Sequence, residues 1–302
     1  MQKEDKASNL SLGLLWFGAA ISIAEIFTGT LIAPLGLLKG GIAIVLGHLI
    51  GCIVLYFTGL IGAKSKLSAI ESTRISFGKY GSYVFSVLNI LQLLGWTAVM
   101  LITASKALGA VTIQIFGFQS EPLWCVLIGV IICVWVLVRM KNLTKLNLFA
   151  SGCLFIGTII LSFIIFKGSS LTLDSAQSSI TFGGAFELAV IMPLSWLPLI
   201  SDYTKNAKKE KAGTLISSIA YFFSSCWMYI IGLGAAIYAG TTDISNIFLK
   251  AGLSIVALVV VILATVTTTF LDVYSAGESF VNINKKANAK VIALITCALG
   301  VA

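Results

Sequence analysis

Eight runs of about twenty or more apolar residues, separated by short polar stretches, dominate this chain. They fall near 11–38, 40–62, 82–108, 122–138, 146–166, 184–203, 213–239 and 251–279. A helix of about 20 apolar residues covers the hydrocarbon core of a bilayer. Lipid offers no partner to a backbone N–H or C=O, so spans of this kind must be helices that bond internally. Charged residues make up only 11% of the chain, against about 25% in soluble domains. A ninth run begins near 289 and stops at Ala302, too short to cross. The expectation is an all-α polytopic membrane protein whose chain is incomplete at its C-terminus, with about nine helix segments present.

The net charge of +8 would suggest a nucleic-acid partner in a soluble protein, but the basic residues sit in short loops between spans. Sixteen of the twenty Lys and Arg fall in alternate loops: Lys3 and Lys6, then Lys64 to Lys79, Arg139 to Lys145, Lys205 to Lys211, and Lys285 to Lys290. Lys39, Lys106, Lys167 and Lys250 lie on the other side. By the positive-inside rule the N-terminus is cytoplasmic in the cell membrane, with lipid as partner and no nucleic acid. The oligomeric state is left open. The six cysteines (Cys52, Cys125, Cys133, Cys153, Cys226 and Cys297) all lie in apolar runs without a CxxC pair, so they read as packing residues. The single histidine, His48, lies mid-span, where helix packing is one role and a proton relay the other. The first apolar run is too long for a cleavable signal peptide and lacks its small-residue site.

Three of the four prolines fall in two spans five apart: Pro34 in span 1, Pro193 and Pro198 in span 6. Span 1 also carries Gly29 and Gly36. Proline removes a backbone donor, and glycine lowers the cost of leaving the helix. Interrupted spans at matching places in two halves point to a transporter site. An inverted repeat of five helices plus five pairs spans 1 and 6, with 1–166 as the first repeat and 184–302 as the second, incomplete one. Two ordinary proline kinks are the alternative.

An ionised side chain at a helix centre costs about 2.5–3.5 kcal/mol on insertion scales. Glu25, Glu187 and Asp272 lie within spans. Glu25 falls in the expected break of span 1. Asp272 shares a helix face with Thr268, Thr265 and Ser275, although such threonines also bond back to their own helix. In span 3, Gln92 and Trp96 are four apart and face the same way, and span 6 adds Ser195 and Trp196 beside its prolines. Trp96 is too deep for the interfacial belt. A flat ring beside an amide and a carboxylate suits a planar, polar heterocycle.

Leu15-Trp-Phe-Gly-Ala-Ala-Ile-Ser22, Gln92-Leu-Leu-Gly-Trp96, Ser201-Asp-Tyr-Thr-Lys205 and Thr267-Thr-Thr-Phe-Leu-Asp272 resemble segments of the nucleobase–cation symporter family, which includes cytosine, allantoin and hydantoin permeases. The resemblance covers almost the whole chain. Glu25 in Ala-Glu-Ile-Phe-Thr-Gly, followed by Pro34-Leu-Gly, is similar to the CytX branch of hydroxymethylpyrimidine transporters. The resemblance implies twelve helices with a five-plus-five inverted repeat and a ligand between helices 1, 3, 6 and 8. It implies that Trp96 stacks on the ligand ring and that Asp272 stands where relatives have asparagine. For sodium-coupled relatives it implies a site of Thr267, Thr268 and carbonyls from around Ala24 to Phe27. Two acids in one site would suit an aminopyrimidine, whose amine and protonated ring nitrogen pair with a carboxylate. The same acids could carry protons, so the coupling ion is sodium or a proton, and no other cofactor is expected.

The expected function is cation-coupled uptake of a pyrimidine-type solute by alternating access. An amino-acid transporter of the same fold is the alternative, although Glu25 would repel a substrate carboxylate. An intramembrane enzyme fits poorly: there is one histidine, no HExxH and no GxSxG.

Overall fold

The computed structural model describes residues 6–137, 149, 152–153, 155–160, 162–163, 180–240 and 254–302. Lys3, Arg139, Lys141, Lys145, Lys167 and Lys250 lie outside the described residues, as do parts of the expected spans 146–166 and 251–279. The described residues of those spans are helical.

Span 1 is broken in the expected stretch beside Glu25, at Ile21 and Ser22 and not at its glycines or proline. Helix α1 (Asn9–Ala20) ends and α2 (Ile23–Leu31) begins after Ile21 and Ser22, with a bend of 51°. Ser22 causes the restart: its backbone is extended (φ −138°, ψ 158°) and its hydroxyl accepts the Glu25 amide at 3.3 Å, an N-cap inside a membrane span. Pro34 lies instead in a 3-10 turn (Ala33–Leu35) that closes the span. Gly36, at φ +73°, turns the chain into α3 (Gly36–Ser65), so the second span starts before residue 40. The short α4 (Ala69–Ser72) leads into α5 (Arg74–Phe116), and α6 (Glu121–Leu137) follows.

Span 6 is interrupted where expected, and more gently. Helices α7 (Phe182–Ser195) and α8 (Leu197–Thr204) form one 23-residue span with Trp196 between them. Pro198 has no N–H for the Leu194 carbonyl, so the ladder lapses there. The remaining helices are α9 (Glu210–Ala239), α10 (Ser254–Ile283) and α11 (Ala289–Val301). At 1.5 Å per residue the 30-residue α10 is about 45 Å long, enough to traverse a bilayer core. Large apolar side chains such as Leu38, Phe57, Leu91 and Phe223 face outward, as lipid-facing residues do.

The helices form two bodies. Helices α1, α2, α3, α7, α8 and α9 pack closely together, and α5, α6, α10 and α11 form the second group. Contacts between the groups are sparse. Within membranes, close packing relies on small residues. A Cβ at Gly29 would fall on the Tyr229 carbonyl, and one at Gly232 on the Ile26 carbonyl, so α2 and α9 touch backbone to backbone.

Candidate functional site

A cavity of about 400 Å³ of empty space, part of it open to the outside, lies on the seam between the two bodies. Six lining residues come from the first body: Ser22, Ala24, Glu25, Met192, Ser195 and Trp196. Six come from the second: Gln92, Leu93, Trp96, Met100, Thr268 and Asp272. The break of span 1 opens one wall, and the lapse of span 6 at Trp196 opens another. All six expected solute-binding residues therefore meet, although they are drawn from four spans.

Their chemistry differs in detail. Trp96 is half-buried and enters no ring pair among the described residues. Trp196 is buried and held edge-on by Trp16 (5.6 Å, 83°) and Tyr221 (6.2 Å, 64°). Trp96 is thus the indole with a face available to a flat ligand. Gln92 Nε2 donates to the Ser195 carbonyl at 3.4 Å, and the Ser195 hydroxyl donates to Met192 O at 2.7 Å. Asp272 is buried and makes no hydrogen bond among the described residues, so its carboxyl meets the cavity without a protein partner. Such a group is costly unless something bonds it. Glu25 is different: Oε1 accepts from Tyr221 Oη at 2.8 Å and Oε2 lies 2.6 Å from Ser225 Oγ. Glu187 is exposed and lines no part of the cavity.

The four residues expected to hold sodium do not converge. The Ala24 carbonyl accepts from Thr28 Oγ1 at 2.8 Å, and the Phe27 carbonyl from Thr30 Oγ1 at 2.6 Å. Thr267 turns its hydroxyl to Leu263 O (2.9 Å) and Ala264 O (3.1 Å) of its own helix. Only Thr268 reaches span 1, and it meets the Ala19 carbonyl at 3.4 Å, just before the break.

Bonds across the seam are long. Gln92 to Ser195 O, Thr268 to Ala19 O, and Tyr203 Oη to Leu271 O are each 3.4 Å, beyond the usual 2.7–3.2 Å. Several bonds between helices of one body are shorter, such as Thr204 Oγ1 to Gly59 O at 2.7 Å and Asn89 Nδ2 to Ser279 Oγ at 2.9 Å. One strong tie does cross the seam: Lys205 Nζ meets Glu278 Oε2 at 2.9 Å, at the end of α8 away from Trp196. Sequence reading missed Ser22, Leu93, Met100 and Met192, and it missed the partners of Glu25. A serine before a helical run with an acid three residues on is a legible N-cap signal. Tyr221 and Ser225, one turn apart on α9, carried no signal tying them to a residue about 200 positions away.

The whole chain, residues 1–302, matches the family described as permease for cytosine/purines, uracil, thiamine, allantoin. The cytosine permease of Escherichia coli (strain K12) is 28% identical over 296 residues, covering 96% of this chain and 69% of that protein. The hydantoin permease of Microbacterium maritypicum is 27% identical over 176 residues, 58% of this chain and 36% of its own length. The solved structure of Mhp1, a nucleobase-cation-symport-1 family transporter in a closed conformation with bromovinylhydantoin bound, superposes with a TM-score of 0.82 at 21% identity, covering 98% of this chain and 71% of Mhp1. A Na+-coupled sialic acid symporter shares the fold at a TM-score of 0.71 and 14% identity, covering 98% of this chain and 74% of its own.

Proposed function

Because the chain belongs to the family of permeases for cytosine/purines, uracil, thiamine and allantoin, it is a multi-pass membrane transporter and not an enzyme, and we propose that it takes up an aminopyrimidine together with a cation. Hydroxymethylpyrimidine and cytosine are the compounds that fit this description. The observation that carries the reading is the unpartnered Asp272 carboxyl in one cavity with the open face of Trp96. A ring that stacks on the indole places its edge within reach of carboxyls. An exocyclic amine and a protonated ring nitrogen both donate to such a group, and charge-assisted bonds of this kind are about twice as strong as neutral ones. Uracil and hydantoin lack the amine.

Transport follows from the seam. The two bodies rock about the cavity, exposing it to one side and then the other. The long bonds beside the cavity yield readily, and the Lys205–Glu278 pair closes one end. The N-terminus and the Lys205 end face the cytoplasm, in the cell membrane. Residues 1–166 and 184–302 serve as the two inverted halves. For sodium as the cation, the supporting oxygens are Thr268 Oγ1 and the Ala19 carbonyl, with the buried hydroxyls of Thr265 and Thr269, which lack partners among the described residues, on the same helix.

Uptake of radiolabelled hydroxymethylpyrimidine and of cytosine by vesicles carrying the full-length protein tests this. Saturable uptake of either, competed weakly by uracil, is expected. Uptake of neither, or equal competition by uracil, rejects the aminopyrimidine reading.

A further inference from the structure

Behind the cavity, Glu25 joins a chain of groups that solute binding does not require. Ser225 Oγ lies 2.6 Å from Glu25 Oε2 and 2.6 Å from His48 Nε2. His48 Nδ1 lies 2.9 Å from the Ile44 carbonyl, one turn earlier in α3. Glu25, Ser225 and His48 are all buried, and they come from α2, α9 and α3.

Counting hydrogens fixes the state of this chain. A carbonyl only accepts, so His48 Nδ1 carries a hydrogen. Tyr221 Oη supplies the hydrogen of its 2.8 Å bond to Oε1. The two 2.6 Å contacts of Ser225 each need a hydrogen, and the serine has one. The second must sit on Oε2, as a carboxylic acid beside a neutral imidazole, or on Nε2, as an imidazolium facing a carboxylate. Either way the three side chains hold one proton more than a carboxylate, a hydroxyl and a neutral imidazole. Without that proton, one of the two contacts sets lone pair against lone pair and must lengthen. Losing it therefore loosens α9 from either α2 or α3.

We propose that Glu25, Ser225 and His48 form the binding site of the coupling proton, which exchanges with the cavity through Glu25. This rests on the reading of the chain as a cation-coupled carrier. The proton passes between Glu25 Oε2 and His48 Nε2 through the Ser225 hydroxyl. No covalent bond other than O–H and N–H is made or broken. The remaining titratable groups around it are Tyr221, Cys226 and Tyr229 of α9, Cys52 of α3, and Asp272 of α10 across the cavity. The Tyr229 ring packs edge-on against His48 at 4.7 Å, and its hydroxyl donates to Leu188 O. On the other helices packed against α3, Glu187 of α7 is exposed, while Asp202 and Tyr203 of α8 bond to Ala69 N and Leu271 O.

Two measurements on the full-length protein test the site. The first needs no solute: difference infrared spectra of the carboxyl and imidazole bands, from mildly acidic to alkaline pH. A single titration that moves both bands, abolished alike by Glu25→Gln and His48→Gln, is expected. Independent titration of the two bands overturns the shared proton, whatever the solute proves to be. The second uses proteoliposomes with radiolabelled hydroxymethylpyrimidine and cytosine. With one proton per neutral solute, an inward gradient of one pH unit supports about tenfold accumulation. Ser225→Ala and His48→Gln should lose that accumulation while still exchanging solute, and Ser225→Thr, which keeps the hydroxyl, should restore it. Accumulation driven by sodium alone, or wild-type accumulation by both variants, overturns the proposal. Absence of solute exchange in the wild type instead rejects the transport reading, and the infrared result still stands apart from it.

Discussion

Truncating Trp96 to alanine separates ligand stacking from protein packing more cleanly than any other change in the cavity. The ring is half-buried, faces the cavity and enters no ring pair among the described residues. Removing it enlarges a space that is already open, so no sealed void forms and the cost in folding is small. What disappears is the proposed platform for the solute. Stacking of a base on an aromatic side chain is worth about 1–3 kcal/mol, so the Kd for hydroxymethylpyrimidine or cytosine should rise about 5- to 150-fold. Trp196→Ala is the control. It removes edge contacts with Trp16 and Tyr221 and should cost the about 3–5 kcal/mol typical of deleting a buried aromatic. Isothermal titration and thermal melting of both variants in detergent check this. A Trp96→Ala protein that binds within twofold of wild type, or that melts as low as Trp196→Ala, would refute the assignment of Trp96 as the stacking face.

Other outcomes follow from the same geometry. Asp272→Asn should weaken aminopyrimidine binding about 10- to 150-fold, the loss of a charge-assisted bond of about 1.5–3 kcal/mol, and should leave any uracil binding almost unchanged in the same titration. Gly232→Ala should destabilise by at least the about 1–3 kcal/mol of an overpacked methyl, because the added Cβ meets the Ile26 carbonyl; a melting temperature equal to wild type would contradict the backbone contact. Breaking the largely buried Lys205–Glu278 pair with Lys205→Ala should cost about 1–3 kcal/mol. The exchange Lys205→Glu with Glu278→Lys should recover part of it, as a double-mutant cycle on melting would show.

The sequence carried the spans and most of the cavity, for identifiable reasons. Gln92 and Trp96 lie four apart on the regular part of α5, beyond its kink at Gly78, so their shared face follows from the helical period alone. Asp272 stands out because a carboxyl in an apolar run needs an explanation. The break in span 1 was located in the right stretch but given the wrong cause: proline and glycine drew attention to positions 29–36, whereas the serine cap at 22 restarts the helix. Choosing between Thr267 and Thr268 was beyond reach, since one residue turns a helix by about 100° and only coordinates fix that rotation. The same holds for Glu25, whose partners Tyr221 and Ser225 come from the far half of the chain.

The even division of the cavity wall between two loosely joined bodies has a kinetic corollary. On the proposed function, a solute seated there would replace weak 3.4 Å contacts with its own stronger ones and become the rivet that holds both halves in register. Release then requires abandoning one half while still attached to the other. Compounds that grip both sides most firmly should therefore leave most slowly, and beyond some affinity a passenger turns into a blocker.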